Sequence, residues 1–180
     1  MQRDLERILI PRDLIKKRVR EMAQTISDLY AKEPQGLVIV PVLAGSIIFL
    51  ADLIRYLPFK MRIALLTVSS YRGETTRPGS TRLVQDLDLD IKGRHVLVVD
   101  DILDTGNTLR VVMGLLQKRE PASLRMCVLL RKSRKAPKDI VADFVGFEIE
   151  DVFVVGYGLD YNDHYRNWPD IGVLRPELYK

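Results

Sequence analysis

Two adjacent carboxylates end an apolar run in the segment VLVVDDILDTGNTL, which spans Val96 to Leu109. A third carboxylate, Asp104, follows in a short loop, and the small polar residues TGNT (105–108) come directly after it. Paired carboxylate oxygens suit sugar hydroxyls or a hard cation. Small residues at the start of a helix expose backbone N–H groups, where the helix dipole favours a phosphate. The segment therefore predicts a binding site for a ligand that carries both phosphate and hydroxyl groups.

Two other interpretations of this segment can be compared with its residues. Asp104 or Thr105 can act only as the N-cap of a helix, which is a common role. That role leaves Asp100 and Asp101, at the end of an apolar strand, unexplained. DDILD also fits the DDxxD metal motif of prenyl synthases. Because that motif lies within helices of all-helical enzymes, whereas this one follows VLVV and precedes Gly106, we reject this interpretation.

Alternating helix and strand patterns surround the segment and must position it. Apolar residues spaced by three and four predict an amphipathic helix over residues 12–32, and further helices are predicted at 45–57 and 105–118. Short apolar runs predict strands at 37–42, 62–68, 95–100, 124–130, 144–147 and 152–155. This alternation predicts an α/β fold with a mainly parallel twisted sheet flanked by helices. In such folds ligands bind at the carboxyl ends of the strands, where the three aspartates are expected.

The composition is that of one globular domain, with 180 residues of which 47% are hydrophobic and 29% are charged. Cys127 is the only cysteine, so no disulfide can form within the chain, and a reducing compartment is predicted. The longest apolar stretch, residues 37–51, is shorter than the roughly 20 residues that a membrane-spanning helix needs. The start, MQRDLERILIPRD, lacks the apolar core of a secretion signal. We therefore predict a cytoplasmic protein with no membrane partner.

Charge and polarity are unevenly distributed along the chain. Residues 131–138 (RKSRKAPK) hold five basic side chains, and residues 139–163 hold seven carboxylates. These patches suit a ligand that carries phosphates and metal ions, and they equally suit a solvated loop. The net charge of +4 permits nucleic-acid binding without favouring it. Residues 69–83 are polar with almost no aliphatic side chain, which is typical of a functional lid or of a disordered connection.

The segment VVDDILDTGNTL resembles the motif with which type I phosphoribosyltransferases bind phosphoribosyl pyrophosphate (PRPP). Other segments narrow the resemblance to hypoxanthine-guanine phosphoribosyltransferases. LAGSIIFLADLI (43–54) is similar to their pyrophosphate loop and the helix after it, and SSY (69–71) resembles the start of their mobile catalytic loop. LLRK (129–132) and DFVGFEIEDVFVVGYGLDYNDHYR (143–166) resemble their purine-binding half. The resemblance covers about residues 37–166, and FVVGYGLDY is far more specific than the PRPP motif.

The resemblance implies a type I phosphoribosyltransferase fold in a single domain, residues 1–180. Its core is expected at about residues 37–155. A small hood over the core is expected from the two ends of the chain, at about residues 1–15 and 156–180. A mobile loop at about residues 69–83 is expected to close over the reacting centre and exclude water. We also expect a homodimer or homotetramer.

The implied reaction is Mg²⁺-dependent purine salvage. The 5-phosphoribosyl group of PRPP passes to N9 of hypoxanthine or guanine, which gives IMP or GMP and pyrophosphate. Asp104 matches the family's general base, which accepts the N7 proton of the purine; such groups typically contribute ~10²–10⁴-fold. The residues expected to bind the 5′-phosphate and ribose are Asp100, Asp101, Asp104, Thr105, Gly106, Asn107 and Thr108.

Further positions match the family's purine, pyrophosphate, loop and metal sites. Lys132 is expected to donate to the purine O6, a contact that adenine cannot make because it carries an amino group there. Phe153 is expected to stack on the base, and the backbone of Val154 to read its edge. Taken singly, Lys132 also fits a solvated lysine and Phe153 a core aromatic. The remaining assignments are Asp160 at the purine and metal sites, Asp100 and Asp101 as metal ligands, Leu43, Ala44, Gly45 and Arg166 at pyrophosphate, and Ser70 and Tyr71 in the mobile loop.

Ala44 departs from the family's pattern, which often has lysine at this position. The backbone N–H groups of the loop can still meet pyrophosphate, and the resemblance implies a cis peptide bond between Leu43 and Ala44. Without this lysine charge, the family's affinity for PRPP and pyrophosphate, and any coupling through a subunit contact, do not carry over directly to this chain. We expect a smaller effect on catalysis, because Asp104 is present.

A regulatory protein on the same scaffold is the alternative. Pyrimidine-operon attenuators keep the PRPP loop and bind RNA through a basic face. The corresponding candidates in this chain are Arg12, Lys16, Lys17, Arg18 and Arg20. The intact Asp104 and the purine-directed pair Lys132 and Phe153 favour the enzyme, so nucleic acid is not an expected partner. The sequence leaves the ranking of hypoxanthine, guanine and xanthine open.

Overall fold

Five parallel strands form the central sheet of the protein, whose computed structural model describes residues 1–33, 36–70, 81–85, 87 and 89–179. In chain order the strands and helices are β1 (Leu5–Ile10), α1 (Arg12–Tyr30), β2 (Leu37–Pro41), α2 (Ile47–Ile54), β3 (Met61–Ile63), β4 (Thr67–Ser70), β5 (Thr81–Gln85), β6 (His95–Leu103), α3 (Asn107–Gln117), β7 (Ser123–Lys132), β8 (Phe144–Ile149), β9 (Val154–Val155) and β10 (Ile171–Leu174). Short 3-10 helices lie at Gln2–Asp4 and Pro176–Leu178. None of the described helices has the length and apolar character needed to cross a membrane.

The central sheet has the strand order β3-β2-β6-β7-β8, and every neighbouring pair in it is parallel. Its middle strands are apolar where they are buried: Val96, Leu97, Val98 and Val99 of β6 have no exposed surface. A strand covered on both faces needs this composition, because neither face meets water. The predicted α/β fold with a mainly parallel sheet is confirmed.

Helices cover the two faces of this sheet, because successive side chains of a strand point to opposite sides. On one face, α1 and α2 pack in a cluster with Ile39, Leu97 and Cys127. On the other face, α3 packs in a cluster with Val38 and Val98. Cys127 is a buried free thiol, and burial raises its pKa. Alternate side chains of β2 and β6 therefore belong to two separate apolar cores, one on each face of the sheet.

A second, antiparallel sheet joins the two ends of the chain: β1 pairs with β10, and β10 pairs with β9. Its buried residues Leu5, Val155 and Leu174 form a separate apolar cluster. The boundary predicted between core and hood, after residue 155, falls within this sheet. Val154 and Val155 were assigned to the core, but they pair with β10 and not with the central sheet. Conversely, α1 packs on the central sheet although it begins within the predicted hood segment 1–15.

The helix after the three aspartates begins at Asn107, two residues later than predicted. Gly106 has a φ of +71°, in the left-handed region, and stands at the N-cap. Strand β6 extends to Leu103, three residues beyond the predicted end at Asp100, so Asp101 also lies inside the strand. The predicted strand 62–68 is instead two strands, β3 and β4.

Strands β4 and β5 pair antiparallel, and both ends of the predicted mobile loop, residues 69–70 and 81–83, belong to them. Residues 71–80, which include Tyr71, lie outside the described part of the chain, and only the backbone of Ser70 is described. The predicted shielding roles of Ser70 and Tyr71 therefore stay predictions.

Candidate active site

A cavity of about 650 Å³ opens at the carboxyl edge of the central sheet, where β2 and β6 end and α3 begins. This volume is within the range of about 300–1,000 Å³ that is usual for small-molecule sites. Three stretches that are distant in the sequence meet there. The residues of the cavity wall that were singled out from the sequence are Leu43, Ala44, Gly45, Asp100, Asp101, Asp104, Thr105, Gly106, Asn107, Thr108, Asp160 and Arg166.

Asp100 and Asp101 are an adjacent pair among the carboxylates of the cavity wall. Asp100 is 7% exposed, and its Oδ1 accepts a 2.9 Å hydrogen bond from the backbone N–H of Asp101. Burial raises the pKa of Asp100 well above its usual range, and the charge of Asp101 raises it further. Burial also raises the pKa of Asp101. Ligand hydroxyls or a cation would offset the cost of keeping these two groups ionised.

The loop 43–45 packs directly against this acidic pair. Its Leu43–Ala44 peptide bond is cis, as the resemblance implies. A Cβ atom on Gly45 would lie 1.9 Å from Oδ2 of Asp101, and one on Gly158 would lie 2.1 Å from the carbonyl oxygen of Gly45. Glycine at both positions therefore lets the loop lie between the end of β6 and the turn that leads to Asp160.

Residues 105–109 line the cavity at the N-terminus of α3. No side chain caps this helix. The first backbone N–H groups of a helix have no partner within it, so those of α3 are available to an anion. The hydroxyls of Thr105 and Thr108 are further donors at the same edge. This arrangement has the chemistry that a phosphate group needs.

Asp104 and Lys132 come from neighbouring strands and meet beside the cavity. Lys132 Nζ lies 3.2 Å from Oδ2 of Asp104, and it donates a 2.9 Å hydrogen bond to Oδ1 of Asp151. The Lys132 side chain is only 8% exposed. Lys132 is the last residue of β7, and Asp104 directly follows β6. Because β6 and β7 pair in parallel, both side chains are carried to the same edge of the sheet.

The Oδ1 atom of Asp104 is buried and accepts no hydrogen bond from the described residues. Lys135 Nζ lies 2.9 Å from this atom without hydrogen-bond geometry, and it donates its hydrogen bond, of 3.2 Å, to Oδ2. The ammonium of Lys135 therefore offsets the charge of this buried oxygen. Asp104 itself lines the cavity, so its carboxylate lies where a ligand would bind.

Lys135 and Asp151 belong to this cluster and were not predicted from the sequence. The backbone N–H of Lys135 donates to the carbonyl of Lys132 over 3.2 Å, and this tight turn brings Lys135 back to Asp104. Asp151 follows β8, whose register places Ile149 opposite Lys132. The hydrogen bond from Lys132 lowers the pKa of Asp151. The adjoining basic and acidic stretches were the sequence signal here, but they did not single out these two residues.

Asp160 and Arg166 both line the cavity, but they pair with each other. Arg166 Nη2 lies 2.9 Å from Oδ1 of Asp160 and 3.0 Å from Oδ1 of Asp163. Its Nη1 donates a 2.9 Å hydrogen bond to the carbonyl of Gly158. A metal ion bound by Asp160 would have to compete with Arg166 for its carboxylate, and a pyrophosphate bound by Arg166 would have to compete with Asp160 for its guanidinium.

Phe153 and Val154 do not line the cavity. Val154 is 6% exposed and pairs with Val173 in the antiparallel sheet. The ring of Phe153 stacks on Tyr179, with centroids 4.8 Å apart, and meets Tyr161 edge-on at 5.6 Å. Neither tyrosine was predicted to be here. The stacking of Phe153 on a purine base and the reading of its edge by Val154 therefore stay predictions.

The aspartates expected to bind metal are not gathered into one cluster. Within residues 1–179, apart from the gaps noted above, no three His, Cys, Asp or Glu side chains are placed to hold a metal ion together. Where a substrate brings phosphates, Mg²⁺ is commonly held by one or two carboxylates, with phosphate oxygens and water completing its shell. The adjacent carboxylates of Asp100 and Asp101 fit a metal that binds together with substrate.

The basic side chains at the start of α1 are largely engaged within the chain. The backbone N–H and the Nε of Arg12 both donate to the buried Asp170, over 2.8 and 3.3 Å. Arg18 donates to two carbonyl groups of β8. The guanidinium of Arg20 lies 5.2 Å from the ring centroid of Tyr56. These three side chains therefore serve the fold, which weakens the case for an RNA-binding face.

Comparisons with known proteins identify similar chains of defined activity. Residues 10–162 match the family model described as a phosphoribosyl transferase domain. The chain is 39% identical to the hypoxanthine-guanine phosphoribosyltransferase of Bacillus subtilis (strain 168), over 100% of this chain and 99% of that protein. It is 41% identical to the hypoxanthine-guanine-xanthine phosphoribosyltransferase of Tritrichomonas foetus, over 99% of this chain and 97% of that protein. A crystal structure of a hypoxanthine phosphoribosyltransferase from Staphylococcus aureus matches with a TM-score of 0.92 and 40% identity, over 100% of this chain and 97% of that chain.

Proposed function

The chain belongs to the phosphoribosyl transferase family, as a purine-salvage enzyme of its hypoxanthine-guanine branch, and on that premise we propose that Asp104 is the base of the reaction. In this reaction a bond forms between N9 of the purine and C1′ of PRPP. The bond from C1′ to pyrophosphate breaks, and its electron pair leaves with pyrophosphate. The purine loses its N7 proton, which Asp104 accepts.

The observation that supports this role is the position of the Asp104 carboxylate, which lies at the cavity between two ammonium groups. Lys132 and Lys135 each lie 3.2 Å from Oδ2. Lys135 Nζ also lies 2.9 Å from Oδ1, and Asp104 lines the cavity. These contacts orient a carboxylate at the cavity wall, which a general base needs in order to reach the proton that it accepts.

PRPP would lie along the edge formed by the acidic pair and the turn 104–108. The backbone N–H groups at the start of α3 would bind its 5′-phosphate, and Asp100 and Asp101 would engage its ribose hydroxyls. Because Ala44 carries no charge, backbone N–H groups of the loop 43–45 and Arg166 would meet the pyrophosphate. Holding both reactants in one cavity supplies much of the rate, and nearby carboxylates favour the positive charge that develops at C1′.

We assign the Mg²⁺ of this reaction to Asp100 and Asp101. When bound, the ion neutralises negative charge on the departing pyrophosphate. Asp160, the third expected ligand, would hold a metal only after its ion pair with Arg166 opens. Removal of divalent ions with EDTA should abolish turnover, and added Mg²⁺ should restore it. Full turnover in excess EDTA would contradict the assignment.

Lys132 would select purines that carry an oxygen at position 6. An ammonium group has three N–H donors. Asp104 and Asp151 account for two of them, which leaves one for O6. Adenine presents an amino donor there and would leave the buried lysine donor unpaired. Stacking by Phe153 and backbone contacts of Val154 would complete the base site.

The loop 69–83 would close over the reacting centre, with Ser70 and Tyr71 excluding water. Limited proteolysis tests this role. Cleavage within the loop should slow when a full set of ligands is bound, and equal cleavage with and without ligands would contradict it.

We propose a cytoplasmic homodimer or homotetramer. Leu43, Ile47 and Ile48, beside the cavity, are 42%, 49% and 38% exposed. A cluster of exposed apolar side chains of this kind is typical of an interface. Light scattering should show an oligomer that Ile47→Asp dissociates, and a monomeric wild type would contradict the proposal. The single free thiol of Cys127 supports a reducing compartment.

A spectrophotometric assay with PRPP, Mg²⁺ and each of hypoxanthine, guanine, xanthine, adenine and uracil tests the function. We expect turnover of hypoxanthine and guanine, and far less of adenine and uracil. Asp104→Asn should lower kcat by about 10²–10⁴-fold while leaving nucleotide binding largely intact. Unchanged turnover would remove Asp104 from the role of base.

An RNA-binding regulator on the same scaffold is not favoured. The relatives that match the whole chain are named as enzymes. Three basic side chains of its candidate RNA face, those of Arg12, Arg18 and Arg20, make contacts within the fold. Tight binding of a structured RNA without any purine turnover would reverse this conclusion.

A further inference from the structure

Asp104 lies in a ring of four side chains of alternating charge. In order around the ring they are Asp104, Lys132, Asp151 and Lys135. The N–O distances between successive members are 3.2, 2.9, 3.8 and 2.9 Å. The proposed function gives roles to Asp104 and Lys132. It gives no role to Lys135, although Lys135 is the member that approaches both oxygens of the base.

We propose that Lys135 is a positioning residue, which holds the Asp104 carboxylate in the orientation needed for proton transfer. It acts through Asp104 and touches neither substrate. This inference rests on the proposed function, because the residue that it positions is the base named there.

The contacts of Lys135 restrict rotation of the carboxylate. The terminal torsion of an aspartate is broad, so contacts must select its orientation. Lys132 Nζ lies 3.2 Å from Oδ2, whereas Lys135 Nζ lies 2.9 Å from Oδ1 and 3.2 Å from Oδ2. The two ammonium groups together therefore contact both oxygens, which restricts rotation of the carboxylate.

Substrate binding makes this second contact necessary. Lys132 is expected to donate to the purine oxygen as well as contacting Asp104 and Asp151, so its position is shared among three partners. Lys135 is not expected to bind the purine. Its side chain is 41% exposed, so it has room to move with the Asp104 carboxylate and stay in contact with it. The hydrogen bond with Asp104 raises the pKa of Lys135, which therefore stays charged. When Asp104 takes up the proton, the ammonium of Lys135 keeps an anionic neighbour in Asp151, 3.8 Å away.

Steady-state kinetics of three variants test the proposal. Lys135→Met should lower kcat about tenfold, with KM for PRPP and for hypoxanthine within about twofold of wild type. Lys135→Arg should restore most of the lost kcat, because a guanidinium can also contact both oxygens of a carboxylate. Arg134→Met is the matched control: it removes the same charge from an exposed position in the same turn and should keep the wild-type kcat. A raised KM with unchanged kcat in Lys135→Met would show a substrate contact and overturn the proposal.

A double-mutant cycle with Asp104→Asn separates this inference from the proposed function. If Lys135 acts through Asp104, Lys135→Met has no further effect on kcat in the Asp104→Asn background. A tenfold loss that persists in that background overturns the positioning role and leaves Asp104 as the base. Wild-type turnover of Asp104→Asn alone overturns the proposed function. Thermal unfolding of each variant establishes that folded proteins are compared.

Discussion

Gly45 and Asp101 lie so close together that no side chain fits between them. A Cβ atom on Gly45 would lie 1.9 Å from Oδ2 of Asp101. The backbone of Gly45 does not have the positive φ that favours glycine, so it is the lack of space that requires glycine here. This contact sets the separation between the loop 43–45 and the acidic end of β6.

Gly45→Ala should impair PRPP use, because Asp101 or the loop must move to admit the methyl group. We expect kcat/KM for PRPP to fall by about tenfold or more. Gly114→Ala in α3 is the control, since an added Cβ there meets no atom within 4 Å. It should keep the wild-type kcat/KM and raise the free energy of unfolding by up to about 1 kcal/mol, because alanine is the better helix former. Equal kcat/KM for the two variants would contradict the role of the Gly45–Asp101 contact.

Lys132→Met should weaken selection for 6-oxopurines. The variant loses the donor to O6, so KM for hypoxanthine should rise about tenfold or more, and the preference for hypoxanthine over adenine should shrink. The measurement is the ratio of kcat/KM for the two bases. Lys138→Met removes a charge from an exposed position of the same basic run and should keep the wild-type ratio. An unchanged ratio in Lys132→Met would exclude the O6 contact.

Asp170→Ala should destabilise the attachment of α1 to the antiparallel sheet. Asp170 is 4% exposed and accepts hydrogen bonds from the backbone N–H and the Nε of Arg12. Its loss leaves the N–H at the start of α1 unpaired, so the free energy of unfolding should fall by about 1–3 kcal/mol, measured by urea denaturation. Glu177→Ala removes an exposed carboxylate near the same end of the chain and should change it by less than about 0.5 kcal/mol. If the free energy of unfolding fell equally in Glu177→Ala, the effect would come from loss of any negative charge and not from the contact with Arg12.

Asp151→Asn should show that the ion pair between Asp151 and Lys132 contributes to the free energy of unfolding in a pH-dependent way. The hydrogen bond from Lys132 lowers the pKa of Asp151 below its usual 3.8. A lowered pKa in the folded state stabilises the fold above the unfolded-state pKa, and the effect is lost as the pH falls through the folded-state pKa. The difference in unfolding free energy between wild type and variant should therefore be constant from about pH 7 to 5 and shrink below about pH 4. A difference that grows toward acid pH would contradict this sign.

Much of the central sheet could be predicted from the sequence, because a parallel strand buried on both faces needs a continuous apolar run. Leu37–Pro41 and residues 95–100 carry such runs. Strands β1 and β10 could not be predicted in this way, because they pair across opposite ends of the chain. The start of α3 was misplaced because the left-handed conformation of Gly106 is not visible in the apolar spacing.

The sequence by itself determined the order of chemical groups along the chain, including Asp100, Asp101 and Asp104 before the turn that starts α3. Those groups are neighbours in the chain, so local spacing suffices to bring them together. Only the tertiary structure decided that Lys132 and Lys135 meet Asp104, and that Gly45 meets Asp101. The reason is physical: such contacts depend on the register between strands and on the direction of the turns that follow them. Neither is encoded in the apolar pattern of any single segment.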